Sequence, residues 1–133
     1  MDAARISSLP PFAGLPADEL QLLAEAMSEV DVDAGAAIVT HGDFGYVLYT
    51  IEAGNADVVI DGSVSGRTLG PGDTFGEIAL LVTGRRTADV VARTEMRLLS
   101  LFDQDFQRIR SRLPETERAL RRLGGERLAG PAQ

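Results

Sequence analysis

The sequence contains no cysteine, no lysine and a single histidine, His41. Without thiols there are no disulfides, no zinc–thiolate centres and no cysteine nucleophile. With one imidazole and no thiol, a Ser-His-Asp site finds no further support, and metal sites rich in nitrogen or sulfur ligands are excluded. His41 sits beside a turn and reads as a surface or loop residue. The longest apolar run is Ile78–Val82, far short of the ~20 residues that a membrane helix needs. Met1-Asp2-Ala3-Ala4-Arg5 lacks a basic stretch leading into an apolar one, which argues against a secretory signal and for a cytoplasmic location. Excess positive charge is missing too. The net charge is −7, the opposite of a surface that binds phosphate backbones, so no direct nucleic-acid partner is expected.

A chain of 133 residues suits one domain able to bury about two-thirds of its unfolded surface without metal or disulfide support. Its 44% hydrophobic and 25% charged residues are ordinary for a globular protein. The charge is uneven: residues 1–84 balance to −11 and residues 85–133 to +4. Pro16, Asp18 and Glu19 suit the first turn of a helix, the acids favouring its positive end. Leu20, Leu23, Ala24 and Met27 follow at helical spacing as a core face. The expected boundaries are a helical part over 1–28, a β region over 29–102 and C-terminal helices over 103–128.

From Glu29 to Phe102 short runs rich in β-formers alternate with glycine-rich turns. The expected strands are Ala37–Thr40, Tyr46–Ile51, Ala56–Ile60, Val64–Leu69, Thr87–Ala92 and Met96–Leu101. Such spacing predicts an antiparallel sandwich or barrel. Glu29-Val30-Asp31-Val32-Asp33 lacks calcium-loop spacing and reads as the solvated face of a strand. After it, Asp103 is a plausible N-cap for a helix carrying Phe106, Ile109 and Leu113. Pro114 starts another, carrying Leu120 and Leu123 on one side and weakened by Gly124-Gly125. The tail Ala129–Gln133 is expected to fray. The arginines at 108, 110, 112, 118, 121, 122 and 127 mark either a partner surface or, more commonly, a solvated helix face.

One stretch within the β region, Phe75-Gly76-Glu77-Ile78-Ala79-Leu80-Leu81-Val82, does not read as a strand. It suits one or two helical turns, whose first N–H groups form an anion site. Gly76 allows close backbone approach, and Arg86 supplies a bidentate guanidinium for a phosphate. Glu77 has the wrong charge for that anion and suits a ligand hydroxyl. Together they suggest a sugar phosphate. The bland alternative is a Glu77–Arg86 salt bridge, worth ~0–1 kcal/mol if exposed.

Pro71-Gly72-Asp73-Thr74-Phe75-Gly76-Glu77-Ile78-Ala79-Leu80, then Arg86-Thr87-Ala88, closely resembles the phosphate-binding cassette of cyclic-nucleotide-binding domains. That family includes the bacterial catabolite activator, protein kinase A regulatory subunits and cyclic-nucleotide-gated channels. Phe12-Ala13-Gly14-Leu15, Gly42-Asp43 ahead of Tyr49, and Gly54 agree with its landmarks, and the likeness spans about Leu9 to Leu128. The resemblance implies an antiparallel, jelly-roll-like β-roll (a double-stranded β-helix) with an N-terminal helix and two C-terminal helices, and a cassette over 75–87. It implies that Glu77 binds the ribose 2′-hydroxyl, that Arg86 and the amides of Gly76, Ile78 and Ala79 bind the phosphate, and that Thr87 bonds phosphate or purine. Leu120, Leu123 and Arg122 become candidate lid residues on a C-terminal helix that closes over the base, and Phe75 a candidate base-lining residue. Arg85 departs from the usual proline, and spacing from Glu77 favours Arg86 as the phosphate partner.

The reading that follows is a sensor for cAMP, favoured over cGMP, with no cofactor and no catalytic constellation. The alternative is a fold of the same kind that has lost its nucleotide and serves as a structural or protein-interaction module. Nothing after Leu128 is long enough for a helix-turn-helix, a channel or an enzyme domain. The expected partners are therefore a cyclic nucleotide and an effector, in another protein or in a longer chain, with a homodimer also open.

Overall fold

The computed structural model describes residues 1–10, 12–39, 47–60, 62–75 and 88–129, with side chains as far as residue 123. Two short helices come first, α1 (Ala3–Ser7) and α2 (Ala17–Ala26). Asp2 caps α1, its carboxylate accepting from the Ala4 N–H at 2.9 Å. Pro16 stands at the N-cap position of α2, whose first turn holds Asp18 and Glu19. Eight strands follow: β1 (Ser28–Val32), β2 (Ala37–Val39), β3 (Val47–Ala53), β4 (Ala56–Ile60), β5 (Ser63–Leu69), β6 (Thr74–Phe75), β7 (Asp89–Ala92) and β8 (Met96–Phe102). The chain ends in α3 (Asp103–Ile109), a 3-10 turn over Arg110–Arg112 and α4 (Pro114–Ala129).

The strands form two four-stranded sheets, ordered β1-β8-β3-β6 and β2-β7-β4-β5, with every pairing antiparallel. This is the β-roll with flanking helices that the sequence predicts. The first sheet is covered on both sides, which explains why β8 reads Met96-Arg97-Leu98-Leu99-Ser100-Leu101 with little alternation. Met96 and Leu98 point into the space between the sheets, with Ile51, Val58, Phe75 and Val90. Leu99 and Leu101 point the other way, into a helical core with Ile6, Phe12, Leu23, Phe106 and Leu120. Gly54 turns the β3–β4 hairpin at a φ of +92°, where a Cβ would lie 2.4 Å from the Glu95 carbonyl oxygen. No other residue fits there.

Three details differ from the sequence reading. Phe75 is in a strand, because β6 pairs with Thr50 and Tyr49 of β3; two residues are too few to show a period. Asp103 is the first residue of α3 and makes no capping bond, the N-cap position falling on Phe102. The α1 helix carries no periodic signal in its five residues. The α4 backbone stays helical through Gly124 and Gly125, so the local glycine cost of about 1 kcal/mol each is outweighed there. The edge strand β1 bears out its solvated acids: Glu29 pairs with Arg5 at 2.6 Å, and Asp31 with Arg97 at 3.3 Å. His41 lies outside the described residues.

Candidate functional site

The lead into the cassette is a tightly bonded turn. The Asp73 carboxylate accepts from the Gly70 N–H at 2.7 Å, and the Asp73 N–H donates to the Gly70 carbonyl at 3.0 Å. Gly72, at a φ of +93°, donates its N–H to the Ile51 carbonyl at 2.8 Å, and Ile51 donates back to Asp73 at 2.9 Å. The turn is thereby stapled to β3. One step on, the buried hydroxyls of Thr50 and Thr74 share a hydrogen bond of 2.9 Å. On the opposite face, the Phe75 ring stacks on Tyr49, with centroids 5.3 Å apart and planes 30° from parallel. Contacts on both faces thereby hold β6 to β3.

Ala88, buried, precedes β7, whose Asp89 pairs with Val59 of β4 in the second sheet. Among the described residues, Phe75 is thus the last of the first sheet before the cassette and Asp89 the first of the second sheet after it. Gly76, Glu77, Ile78, Ala79, Arg85, Arg86 and Thr87 lie outside the described residues.

The remaining candidates are not gathered around Phe75. Leu120 is wholly buried in the helical core, Leu123 is half-buried and Arg122 is exposed. Phe75 belongs to the core between the sheets.

The position of α4 rests on a residue whose role the sequence reading missed. Glu19 of α2 is 2% exposed. Its carboxylate accepts from the Thr116 N–H at 2.8 Å, the Thr116 hydroxyl at 2.9 Å and the Glu115 N–H at 3.2 Å. It caps the N-terminus of α4, where unbonded N–H groups and the helix dipole favour an anion. No local pattern announces this contact, since Glu19 also suits the first turn of its own helix and its partner is 97 positions away.

Glu117 makes a second anchor. It accepts from Arg110 Nε at 2.5 Å and Nη2 at 3.1 Å, and from Arg121 Nε at 2.9 Å. The bonds from Arg110, and secondarily from Arg121, hold its carboxyl at a pKa of about 2. The Glu117 bond raises the Arg110 guanidinium in turn. Arg108 pairs with Asp105 and Arg118 with Glu115, both on exposed surface. In the described part of the arginine run, Arg108, Arg110, Arg118 and Arg121 are thus engaged by neighbouring acids, and Arg112 and Arg122 are exposed.

The cyclic nucleotide-binding domain family matches residues 29–112. The cAMP-dependent protein kinase regulatory subunit of Yarrowia lipolytica is 37% identical over 78% of this chain and 28% of its own length. A cyclic nucleotide-gated potassium channel of Rhizobium etli is 36% identical over 95% of this chain and 35% of its own length. Among solved structures, the regulatory subunit of a cAMP-independent protein kinase A from Trypanosoma brucei superposes with a TM-score of 0.81 at 29% identity, over 92% of this chain and 44% of that one. The chain spans about a third of the length of the two curated relatives. The matched segment runs from β1 through the 3-10 turn and takes in the whole β-roll described above, and on that ground the chain belongs to the cyclic nucleotide-binding domain family.

Proposed function

We propose that this domain is a regulatory module that binds a cyclic nucleotide, cAMP over cGMP, and passes its occupancy on through α4 to an effector. The observation that carries the reading is the motif Gly76-Glu77-Ile78-Ala79 followed by Arg86-Thr87, set between β6 and β7. Arg86 pairs with the cyclic phosphate, the amides of Gly76, Ile78 and Ala79 complete that site, and Glu77 accepts from the ribose 2′-hydroxyl. Thr87 bonds phosphate or purine. Phe75 lines the site beside them. The relative named as a cAMP-dependent regulatory subunit supports cAMP as the ligand. Relatives that are a kinase subunit and a channel support an effector elsewhere in the assembly or chain. Ligand shifts the population toward the state in which α4 is docked, by the difference in its affinity for the two states. Leu123 and Arg122 are the α4 residues free to meet the base, since Leu120 is committed to the helical core.

Titration calorimetry with cAMP and with cGMP tests the reading. Saturable binding, tighter for cAMP, is expected. No heat and no thermal shift at millimolar nucleotide overturns it. That outcome favours the second reading, a nucleotide-free interaction module. The likeness to the regulatory subunit of a cAMP-independent kinase keeps that reading in play.

A further inference from the structure

We propose that Ser111 is a phosphorylation site, whose phosphate is received by Arg118 and Arg121 of α4 together with the neighbouring Arg110. The proposal goes beyond the ligand reading and does not depend on it.

Ser111 is the middle residue of the 3-10 turn Arg110–Arg112 that joins α3 to α4. Ile109 and Leu113, both buried, pin the turn two residues to either side, while Ser111 itself is exposed. The turn is closed by a bond from the Leu113 N–H to the Arg110 carbonyl at 3.0 Å, so little structure has to open for the hydroxyl to enter another protein's active site. Ser7 and Ser8, by contrast, donate their hydroxyls to the carbonyls of Ala4 and Arg5.

The surroundings of Ser111 suit an anion better than a hydroxyl. It lines an open cavity of about 440 Å³ with Arg110, Pro114, Glu117, Arg118 and Arg121. The Glu117 carboxylate accepts from Arg110 and Arg121, and the nearby Glu115 accepts from Arg118. Arg121 uses its Nε for this and Arg118 its Nη1. The rest of each guanidinium fork faces solvent, on side chains 50% and 64% exposed. Pro114 is the first residue of α4, a helix of 16 residues, so the positive end of its dipole adds to the three guanidiniums. A phosphoserine carries about −1.5 to −2 charge and three acceptor oxygens, and opposite an arginine cluster it forms one to three charge-assisted bonds. Those bonds tie the 3-10 turn to α4 and add to the anchors that Glu19 and Glu117 already supply.

The transfer itself belongs to a protein serine kinase using ATP. The Ser111 Oγ attacks the γ-phosphorus, the bond from that phosphorus to the β–γ bridging oxygen breaks, ADP leaves, and the hydroxyl proton passes to the kinase's base.

Two measurements test the proposal. The full chain, incubated with MgATP and a soluble extract of its own cells, is expected to take up phosphate that mass spectrometry places on Ser111 and that Ser111→Ala abolishes. No uptake at Ser111 overturns the proposal. The receiving site is tested on chain synthesised with the phosphate already on Ser111. Its melting midpoint is expected to rise by about 2–6 °C over the unmodified chain. Its phosphorus resonance should titrate below the ordinary value of about 6, because guanidinium neighbours favour the dianion. Arg118→Gln combined with Arg121→Gln should erase both shifts. An unmoved midpoint with an ordinary titration leaves the phosphate in water and overturns the receiving site. Shifts that survive the double substitution assign the phosphate to other groups and overturn it equally.

Discussion

The first sheet has a core on each face, and the two are built differently. On the helical side Ile6, Leu23, Leu48, Leu99, Leu101, Phe106, Leu113 and Leu120 are all at 0% exposure. Between the sheets Ile51, Ala56 and Leu98 are also at 0%, whereas Val58, Leu69, Phe75, Val90 and Met96 retain 4–5%, and Val39 and Ala88 8–9%. The helical core is made of large side chains sealed from water. The inner core mixes valines and alanines with large side chains, and Tyr49 packs against it. Sealed packing holds α1 to α4 against the sheet, where the domain gets its rigidity. A single sheet thus separates the two cores.

The difference can be tested from the strongest effect downward. Phe106→Ala removes a wholly buried ring from the helical core and should cost about 3–5 kcal/mol in urea denaturation, with Phe75→Ala on the inner side at the lower end of that range. Equal costs would erase the distinction. Arg86→Ala should leave folding intact and weaken nucleotide binding by about 2–4 kcal/mol in a titration, with Arg85→Ala far milder; equal losses would mean the wrong arginine was chosen. Glu19→Ala strands the Thr116 and Glu115 N–H groups and should lower stability by about 1–3 kcal/mol, with Glu19→Gln costing less because it keeps an acceptor. A neutral outcome for Glu19→Ala would show that α4 is held by packing alone.

The smallest effect is pH-dependent. The folded pKa of Glu117 is depressed from an ordinary 4.5 to about 2. Its contribution is therefore fully present above about pH 4.5 and is lost as pH falls toward 2. The side chain is 24% exposed, so solvent screening keeps this below about 1 kcal/mol. Comparing Glu117→Gln with wild type should show a gap at neutral pH that closes in acid; a constant gap refutes the assignment.

The strands were legible because β-branched runs and glycine turns are local signals. Val47–Ala53 and Met96–Phe102 fall within two residues of their predicted bounds for that reason. The Thr74–Phe75 strand was not legible, because pairing with β3 makes it, not its own pattern. The cassette was read as a motif from glycine, glutamate and arginine at fixed spacing, and its residues from Gly76 to Thr87 lie outside the described ones. Tyr49 was visible only as part of a strand, because its stacking partner Phe75 is a neighbour across the ladder. Glu19 was read as belonging to the helix it sits in, because nothing local distinguishes capping one's own helix from capping another.

The Glu19 contact also bears on time. It closes a loop of 97 positions, and contacts of such separation are costly in chain entropy and form after local structure. A contact made after the folding barrier does little to hasten folding but slows escape from the folded state. The carboxylate near the start of the chain therefore sets how long the last helix, once seated, remains so.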